Sequence, residues 1–476
     1  MKSLEQIAAE LQGYDPQAMI ADGVLAFLYR LVTPVQDVRE LPLFESLGRV
    51  LAADVISPFD VPPHDNSAMD GYAFAGEELA PTFVASRTAL PPAGAELAWG
   101  GPALRSPLPN ATLELEVVGT AFAGKAWQGS VGPGQCVKIM TGAVMPPGLD
   151  TVVPQEFVKL GETGDIQRIT IPPALLRTGD NRRLRGEDLM QGRPALRKGE
   201  LLTPARLGLA ASLGLEKLKT WRPLRVAYFS TGDEILSPGE APREGAVYDS
   251  NRYTVFGLLS RLGCEVIDLG AVRDDPALLE AAFCRAALQA DAIITSGGVS
   301  VGEADYTKAM MKKLGDVAFW RIAMRPGRPM AVGRISSTKL AFHAYGTGAG
   351  SYDNSSKSND AVLFGLPGNP VAVMVTFLAF VRPALLRMMG ANPEPTLLLK
   401  ARSGEAIRKK PGRTEYQRGR VSTASDGSLQ VRITGNQGSG VLSSMAEANG
   451  LIVLHHSQSS VAVGDEVDVM MFDGVI

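Results

Sequence analysis

Between Ile294 and Lys308 the sequence reads ITSGGVSVGEADYTK: an apolar run stops, and glycines, hydroxyls, two carboxylates and a lysine follow with almost no bulk. That combination suits an anion. Glycines let backbone N–H groups come close, and a helix N-terminus adds positive potential. Gly297 to Gly302 satisfies G-x-x-x-x-G, but Glu303-Ala304 stand where a P-loop needs lysine and a hydroxyl residue. Val299 takes the middle glycine position of a dinucleotide fingerprint, so neither nucleotide motif is present. Taken alone, an ordinary strand-to-helix connection capped by Asp305 accounts for the loop equally well.

Other polar loops carry titratable groups. STGDEI sets Asp233 and Glu234 after an apolar run. Asp274 and Asp275 share one loop; Asp275 precedes Pro276 and reads as a helix cap, which leaves Asp274 for chemistry. In GLPGNP, Gly368-Asn369-Pro370 makes a turn into a helix. MRPGRP places Arg325 and Arg328 around a glycine, a phosphate site or a solvated tight turn. Farther upstream, DNSAMDGY holds Asp65 and Asp70 among small residues, and RRLRGEDL sets Arg182, Arg183 and Arg185 beside Glu187 and Asp188. Each of these alone is compatible with turn chemistry or a solvated charged loop.

The elements that must position these loops follow from periodicity. From Leu224 onward apolar strands alternate with helical patterns: LRVAYFS, YTVFGLLSRLG ended by Gly263, CEVIDLGAV, DPALLEAAFCRAAL, DAIITS, DYTKAMMKKLG, then VAFWRIAM, RPMAVGRI and VLFGLPGNP. This predicts a doubly wound α/β domain with a mostly parallel sheet. In such a sheet ligands bind beyond the carboxyl ends of the strands, where STGDEI, VRDDP, SGGVSVGEADY and GLPGNP all fall. The first 31 residues predict two helices split by Gly13 and Pro16. SLGRVLAADVISPFDVPPHDNSAMDGYA begins with helical spacing and turns extended near Val61, where two prolines disfavour helix. Residues 83–156 are strand- and turn-rich, LTPARLGLAASLGL is a helix with Thr203 as N-cap, and the chain from Thr396 reads as a small β domain. The stretches 91–109 and 336–360 have loop composition.

Global properties exclude several classes. The 476 residues suggest roughly three domains of about 150 each. Hydrophobic content of 45% with 20% charged residues is that of a folded globular chain. A net charge of -3 draws the protein to neither nucleic acid nor an acidic membrane surface, so any anion must be held locally. The start MKSLEQIAAELQGYD has no signal-peptide character, and Val371 to Val381 is too short an apolar run to span a bilayer; a cytoplasmic protein is expected. Three separated cysteines and four histidines without H-E-x-x-H argue against a disulfide framework or a zinc site, which leaves oxygen ligands and magnesium if a metal is used.

DNSAMDGYA, IMTGAVMPPG, RRLRGEDL, FSTGDEI, YDSNR, SGGVSVGEADYTK, RPGRP and GLPGNPVA occur here in one order, and that order resembles the molybdopterin molybdenumtransferases, the MoeA-type enzymes. The resemblance covers nearly the whole chain from about Leu25 and includes GSGVLSSMAEANGLIVL near the end. It implies a multidomain α/β plus β protein. Its parts would be an elongated α+β N-terminal domain over 1–60 and 140–222, an inserted β domain over 61–139, an α/β molybdopterin-binding domain over 223–392 and a C-terminal β-barrel-like domain over 393–476. It also implies a homodimer whose cleft lies between the α/β domain of one subunit and the first domains of the other. The implied reaction inserts molybdate into adenylylated molybdopterin, with Mg²⁺, and releases AMP. Carried over by motif, Asp65, Asp70, Thr141, Glu187, Asp233 and Asp274 would be catalytic, with Asp233 and Asp274 as metal ligands. Thr231, Gly232, Ser296, Gly297, Gly298, Ser300, Asp305, Lys308, Pro326 and Pro329 would bind the pterin and its phosphates. His64 stands where the family often has an aromatic residue, and the stretches 91–109 and 336–360 exceed compact members; both are expected at the periphery. The molybdopterin-supplying enzymes are candidate partners, with no nucleic acid or membrane. Two alternatives on the same α/β fold are a molybdopterin adenylyltransferase and a non-catalytic scaffold.

Overall fold

A computed structural model of the chain describes residues 2–79, 112–163, 166–172, 174–299, 306–336, 360–392 and 394–472. Ser300, Asp305 and nearly all of the two expected loop stretches lie outside them. The chain divides into two units, Met1–Ala53 with Arg197–Ile476, and Asp54–Leu196.

In Asp54–Leu196 a six-stranded sheet runs in the order Thr151–Pro154, Gly71–Phe74, Gln135–Ile139, Leu113–Ala121, Ile166–Ile171, Lys159–Thr163. Successive residues alternate between its faces. Tyr72, Phe74, Cys136 and Val153 enter one buried cluster, Ala73, Val137, Ile139 and Val152 the other. Both faces are covered, so all four residues of Gly71–Phe74 are buried. Just before this strand, Asn66–Ser67 pairs with Arg182–Arg183 in a two-residue antiparallel ladder.

The larger unit centres on a second six-stranded sheet, ordered Glu265–Val272, Arg225–Thr231, Ala292–Ser296, Ala361–Leu366, Pro329–Ile335, Gly315–Arg321. The first four strands are parallel, and Pro329–Ile335 runs antiparallel to both of its neighbours, Ala361–Leu366 and Gly315–Arg321. Val226 and Tyr228 point to one face with helices Ser250–Arg261 and Pro370–Thr376. Ala227 and Phe229 point to the other with Pro276–Gln289 and Tyr306–Leu314. This is the doubly wound α/β domain expected from the alternation. Pro370–Met388 is long and apolar enough to cross a bilayer, but 78% of that stretch is buried in the domain core. After it, Leu399–Ser403, Thr414–Thr423, Leu429–Ile433, Gly450–Leu454 and Glu466–Met471 close into a five-stranded barrel. Val431, Ile452, Leu454, Val467 and Val469 fill it.

One local expectation fails. The stretch after Ser46 is not helical: Val50 and Leu51 bridge Leu201 and Thr220, and Gly48 has φ +72°. The apolar residues there repeat at helical intervals. However, their backbone N–H groups go to neighbouring segments, Leu51 to Glu200 O and Ala52 to Lys219 O, and this tertiary pairing wins over local spacing.

Candidate active site

The α/β sheet reverses its strand order beside Arg225–Thr231. The chain leaves this strand for Glu265–Val272 on one side and returns to Ala292–Ser296 on the other. The crevice between the carboxyl ends of the two strands is the topological switch point, where an open α/β sheet binds ligands. Three hydroxyls meet there. Tyr228 Oη lies 2.6 Å from Ser296 Oγ and 2.9 Å from Ser230 Oγ, and all three residues are buried. Burial raises the Tyr228 phenol well above its usual range, and the nearby Asp249 and Asp268 charges push the same way. The hydroxyl network therefore stays protonated at neutral pH. Thr231 Oγ1 is buried here with no hydrogen-bond partner among the described residues.

The glycines at these strand ends are required by close approach. Gly297 has φ +91°, and a Cβ on it would lie 2.5 Å from Thr231 O. Gly298 has φ +64°, and its Cβ would strike the Thr307 side chain at 2.4 Å. The Gly297 N–H donates to Leu366 O at 3.2 Å. Gly297 thus lets the strand end close against Thr231, and its N–H is not a free donor. On the far side Asn251 Nδ2 donates to Gly368 O at 2.6 Å, which fixes the GNP turn against the first turn of helix Ser250–Arg261.

Asp233 and Asp274 follow neighbouring strands. The Asp274 N–H donates to Asp233 Oδ1 at 3.3 Å, so the two acidic loops lie side by side, both exposed. Asp275 accepts from the N–H groups of Ala277 and Leu278 and is the helix cap, as its place before Pro276 implies. Lys308 lies in the first turn of Tyr306–Leu314, with Nζ 5.0 Å from the centre of the Phe319 ring. Pro326 and Pro329 flank the turn that opens Pro329–Ile335. Because that strand runs antiparallel to Ala361–Leu366, the turn lies at the same sheet edge as the crevice.

The second constellation belongs to Asp54–Leu196. Asp65 Oδ1 accepts the Arg185 N–H at 2.8 Å, and Asp65 Oδ2 lies 3.6 Å from Arg182 Nη1. Asp70 Oδ1 accepts both the Thr141 N–H at 2.7 Å and its hydroxyl at 2.9 Å. These two bonds, the backbone one first, hold the Asp70 carboxyl below the usual carboxylate range. Glu187 Oε2 accepts the Leu184 N–H at 2.8 Å within its own turn. Ladder bonds bring the three segments together: Gly142 N–H to Ser67 O, Met145 N–H to Asp65 O, and Ala68 N–H to Asn181 O. DNSAMDGY is thus clamped between IMTGAV and NRRLRGED, and Asp65, Asp70, Thr141 and Glu187 belong to one small region of this unit.

Residues 19–214 match the family description MoeA N-terminal region (domain I and II), 227–387 the probable molybdopterin binding domain, and 400–472 the MoeA C-terminal region (domain IV). The chain is 37% identical over 437 residues to a molybdopterin molybdenumtransferase of Haemophilus influenzae, covering 92% of this chain and 94% of that one. The chain belongs to the molybdopterin molybdenumtransferase family. A molybdopterin molybdenumtransferase of Nostoc is 32% identical over 97% of this chain and 95% of its own. Among solved structures, a molybdopterin biosynthesis moeA protein from Pyrococcus horikoshii OT3 superposes with a TM-score of 0.70 at 26% identity, over 96% of this chain and all of that one.

In this molybdopterin molybdenumtransferase-family chain the described parts of the eight ordered motifs map onto the two constellations and the turns beside them. Sequence reasoning gave no role to Tyr228, Ser230, Asp249 or Asn251. The run Asp249-Ser-Asn-Arg before an apolar-periodic stretch carries a helix-cap signature, and Asp249 does accept from the Arg252 N–H. Nothing in that local pattern signals that its carboxylate is buried.

Proposed function

We propose that this enzyme inserts molybdate into adenylylated molybdopterin and releases AMP, in a magnesium-dependent step. The observation that carries the reading is the pair of acidic loops, Asp233 and Asp274, held beside a glycine-lined switch-point crevice in a chain whose relatives are named molybdopterin molybdenumtransferases. The substrate carries a pyrophosphate and a pterin, which need respectively an edge that can hold a divalent cation and a slot with polar contacts. The acidic loops and the crevice supply one each.

The donor set suits magnesium. Asp233 and Asp274 offer hard oxygen ligands on adjoining loops. Among the described residues no group of three or more His, Cys, Asp or Glu gathers to make an all-protein cage. One or two carboxylates completed by water and substrate phosphate is the usual magnesium arrangement. When bound, the ion neutralises charge on the splitting anhydride. The protein does the rest by positioning. Gly297 and Gly298 let the strand ends pack closely against Thr231 and Thr307, which fixes the shape of the crevice, and the Tyr228–Ser296–Ser230 hydroxyls give the substrate neutral polar contacts. A helix terminus contributes only about 0.3–1 kcal/mol to anion binding, against barrier reductions of roughly 8–23 kcal/mol by enzymes. The carboxylate edge therefore has the larger task. In Asp54–Leu196, Asp65 and Glu187 are each tied by one oxygen to a backbone N–H, an arrangement that fixes a carboxylate to orient an oxyanion, accept a proton or align water.

The test is direct. Purified protein is mixed with adenylylated molybdopterin, molybdate and Mg²⁺, and AMP is measured. Release that needs both molybdate and Mg²⁺ is expected; folded protein that yields no AMP overturns the reading. The proposal includes a homodimer, supported by the fully exposed Phe44 and the more than half-exposed Val38 and Leu47 on the surface of the larger unit. A monomeric mass by light scattering would remove that part.

A further inference from the structure

Two buried acceptors at the switch point have no donors. Asp249 is 4% exposed, and while its Oδ1 accepts the Arg252 N–H at 3.0 Å, its Oδ2 is buried with no partner among the described residues. Asn251 is 8% exposed; its Nδ2 donates to Gly368 O, which fixes the amide orientation and leaves Oδ1 buried and unpartnered in the same way. Both residues stand at the start of one helix, whose first turn holds the GNP turn through Asn251. Asp249 lies close enough to Tyr228 for its charge to act on the phenol. Gly368, which Asn251 holds, adjoins Gly297: a Cβ built on it would lie 3.9 Å from the Gly297 Cα.

An unmet buried carboxylate oxygen is costly, and a buried amide oxygen less so. Two open acceptors at one helix start, one of them a carboxylate oxygen, call for a ligand that presents N–H donors. A phosphate or an oxyanion would be repelled by the carboxylate. We propose that Asp249 and Asn251 recognise the amide-and-amine edge of the pterin, the ring N–H and the neighbouring exocyclic amine. This rests on the reading of the chain as an enzyme of a pterin substrate, and makes the helix start the determinant that selects the ring system. Asn251 also positions the GNP turn through Gly368, so the selectivity is assigned to Asp249 first.

The experiment compares two fluorescent probes, 6-carboxypterin and 6-carboxylumazine. In the second, the exocyclic amine is replaced by a carbonyl, so the paired donors become a donor beside an acceptor. Each is titrated against the full-length protein, Asp249→Asn and Asp249→Ser. Asparagine and serine cap helices about as well as aspartate, so both variants keep the helix start, and melting temperature checks that they do. Wild type is expected to bind the pterin roughly 10- to 100-fold more tightly than the lumazine, the range of a lost charge-assisted hydrogen bond. Both variants are expected to bring that ratio close to one by losing affinity for the pterin alone. Variants that keep the wild-type ratio overturn the inference and leave the enzyme assignment standing, as does a wild type that binds both probes equally. A wild type that binds neither probe counts against the pterin-enzyme reading itself, and the inference falls with it.

Discussion

Neighbouring aspartates in this chain do unlike work, and geometry separates them. Asp275 gives its carboxylate to two backbone N–H groups at the start of Pro276–Gln289, while Asp274 stands beside Asp233 on the exposed loop edge. Asp274→Ala is expected to abolish molybdate-dependent AMP release with a melting temperature close to wild type. Asp275→Ala is expected to retain turnover but cost about 1 kcal/mol of stability, the usual loss for a cap. Thermal melts beside single-turnover assays distinguish the two, and wild-type rates from the Asp274 variant would remove that residue from the mechanism. Asp70 shows the third use of an acid. Thr141 holds its carboxyl below the ordinary range, so the folded state takes up this proton at lower pH than the unfolded chain. The resulting stabilisation is present above the unfolded pKa and is lost as pH falls through the depressed folded value. Melting temperature measured from pH 6 to pH 2.5 should therefore fall below about pH 4, and less steeply in Asp70→Asn, whose amide oxygen accepts the Thr141 bonds at every pH. An identical acid limb in that variant would contradict the assignment. Asp60 and Asp426 are held below the ordinary range as well, so the limb is shallowed and not abolished.

At the scale of elements, the strand ends decide what can approach. Gly297 lies against the Thr231 carbonyl in a left-handed conformation, so a methyl group there meets both backbone strain and a contact at 2.5 Å. Gly297→Ala should push the two strand ends apart and weaken 6-carboxypterin binding by tenfold or more, read by fluorescence titration; the obstacle is backbone, which a rotamer change cannot relieve. Unchanged affinity would mean that the crevice does not hold the ring. Much of this architecture was legible beforehand because the α/β domain obeys short-range rules. Apolar runs of strand length alternate with helical patterns, and Thr203, Asp275 and Pro370 occur as helix-start signals where helices start. The parallel order then followed from the alternation. What stayed hidden depends on contacts far apart in sequence. Val50 and Leu51 pair with residues about 150–170 positions on; Tyr228 finds Ser296 on a neighbouring strand; and Asn251 reaches Gly368, 117 positions on. No local pattern encodes these.

The whole chain carries a signal that no single loop does. SGGVSVGE alone reads as a strand-to-helix turn, but eight motifs in one order define the family, and the relatives match over more than nine-tenths of the chain. The C-terminal barrel takes part in this organisation through two attachments at the crevice edge of the α/β domain. Met324–Arg325 pairs with Thr414–Glu415, and Ser439 receives the Asn369 amide through its hydroxyl and the Val371 N–H through its carbonyl. Arg418, 1% exposed, supports the second attachment from inside the barrel. Its Nη2 donates to Asn436 O at 3.0 Å and Gly438 O at 2.9 Å, its Nη1 to Gln437 O, and its Nε to Ser444 Oγ. Burial, and then the nearby Arg325 charge, pull its pKa below the usual guanidinium value, so this cation is held by carbonyl dipoles at a net electrostatic cost. The compensation is a rigid 436–439 loop that grips the GNP turn. Arg418→Met keeps the volume and removes the donors. It should destabilise the protein by about 1–3 kcal/mol, as lost hydrogen bonds to a charged group do. It should also raise amide hydrogen exchange in 436–440 and in 367–371 together. Exchange that rises in 436–440 while 367–371 stays at wild-type protection would show that the barrel loop closes on itself and leaves the crevice edge to the α/β domain alone.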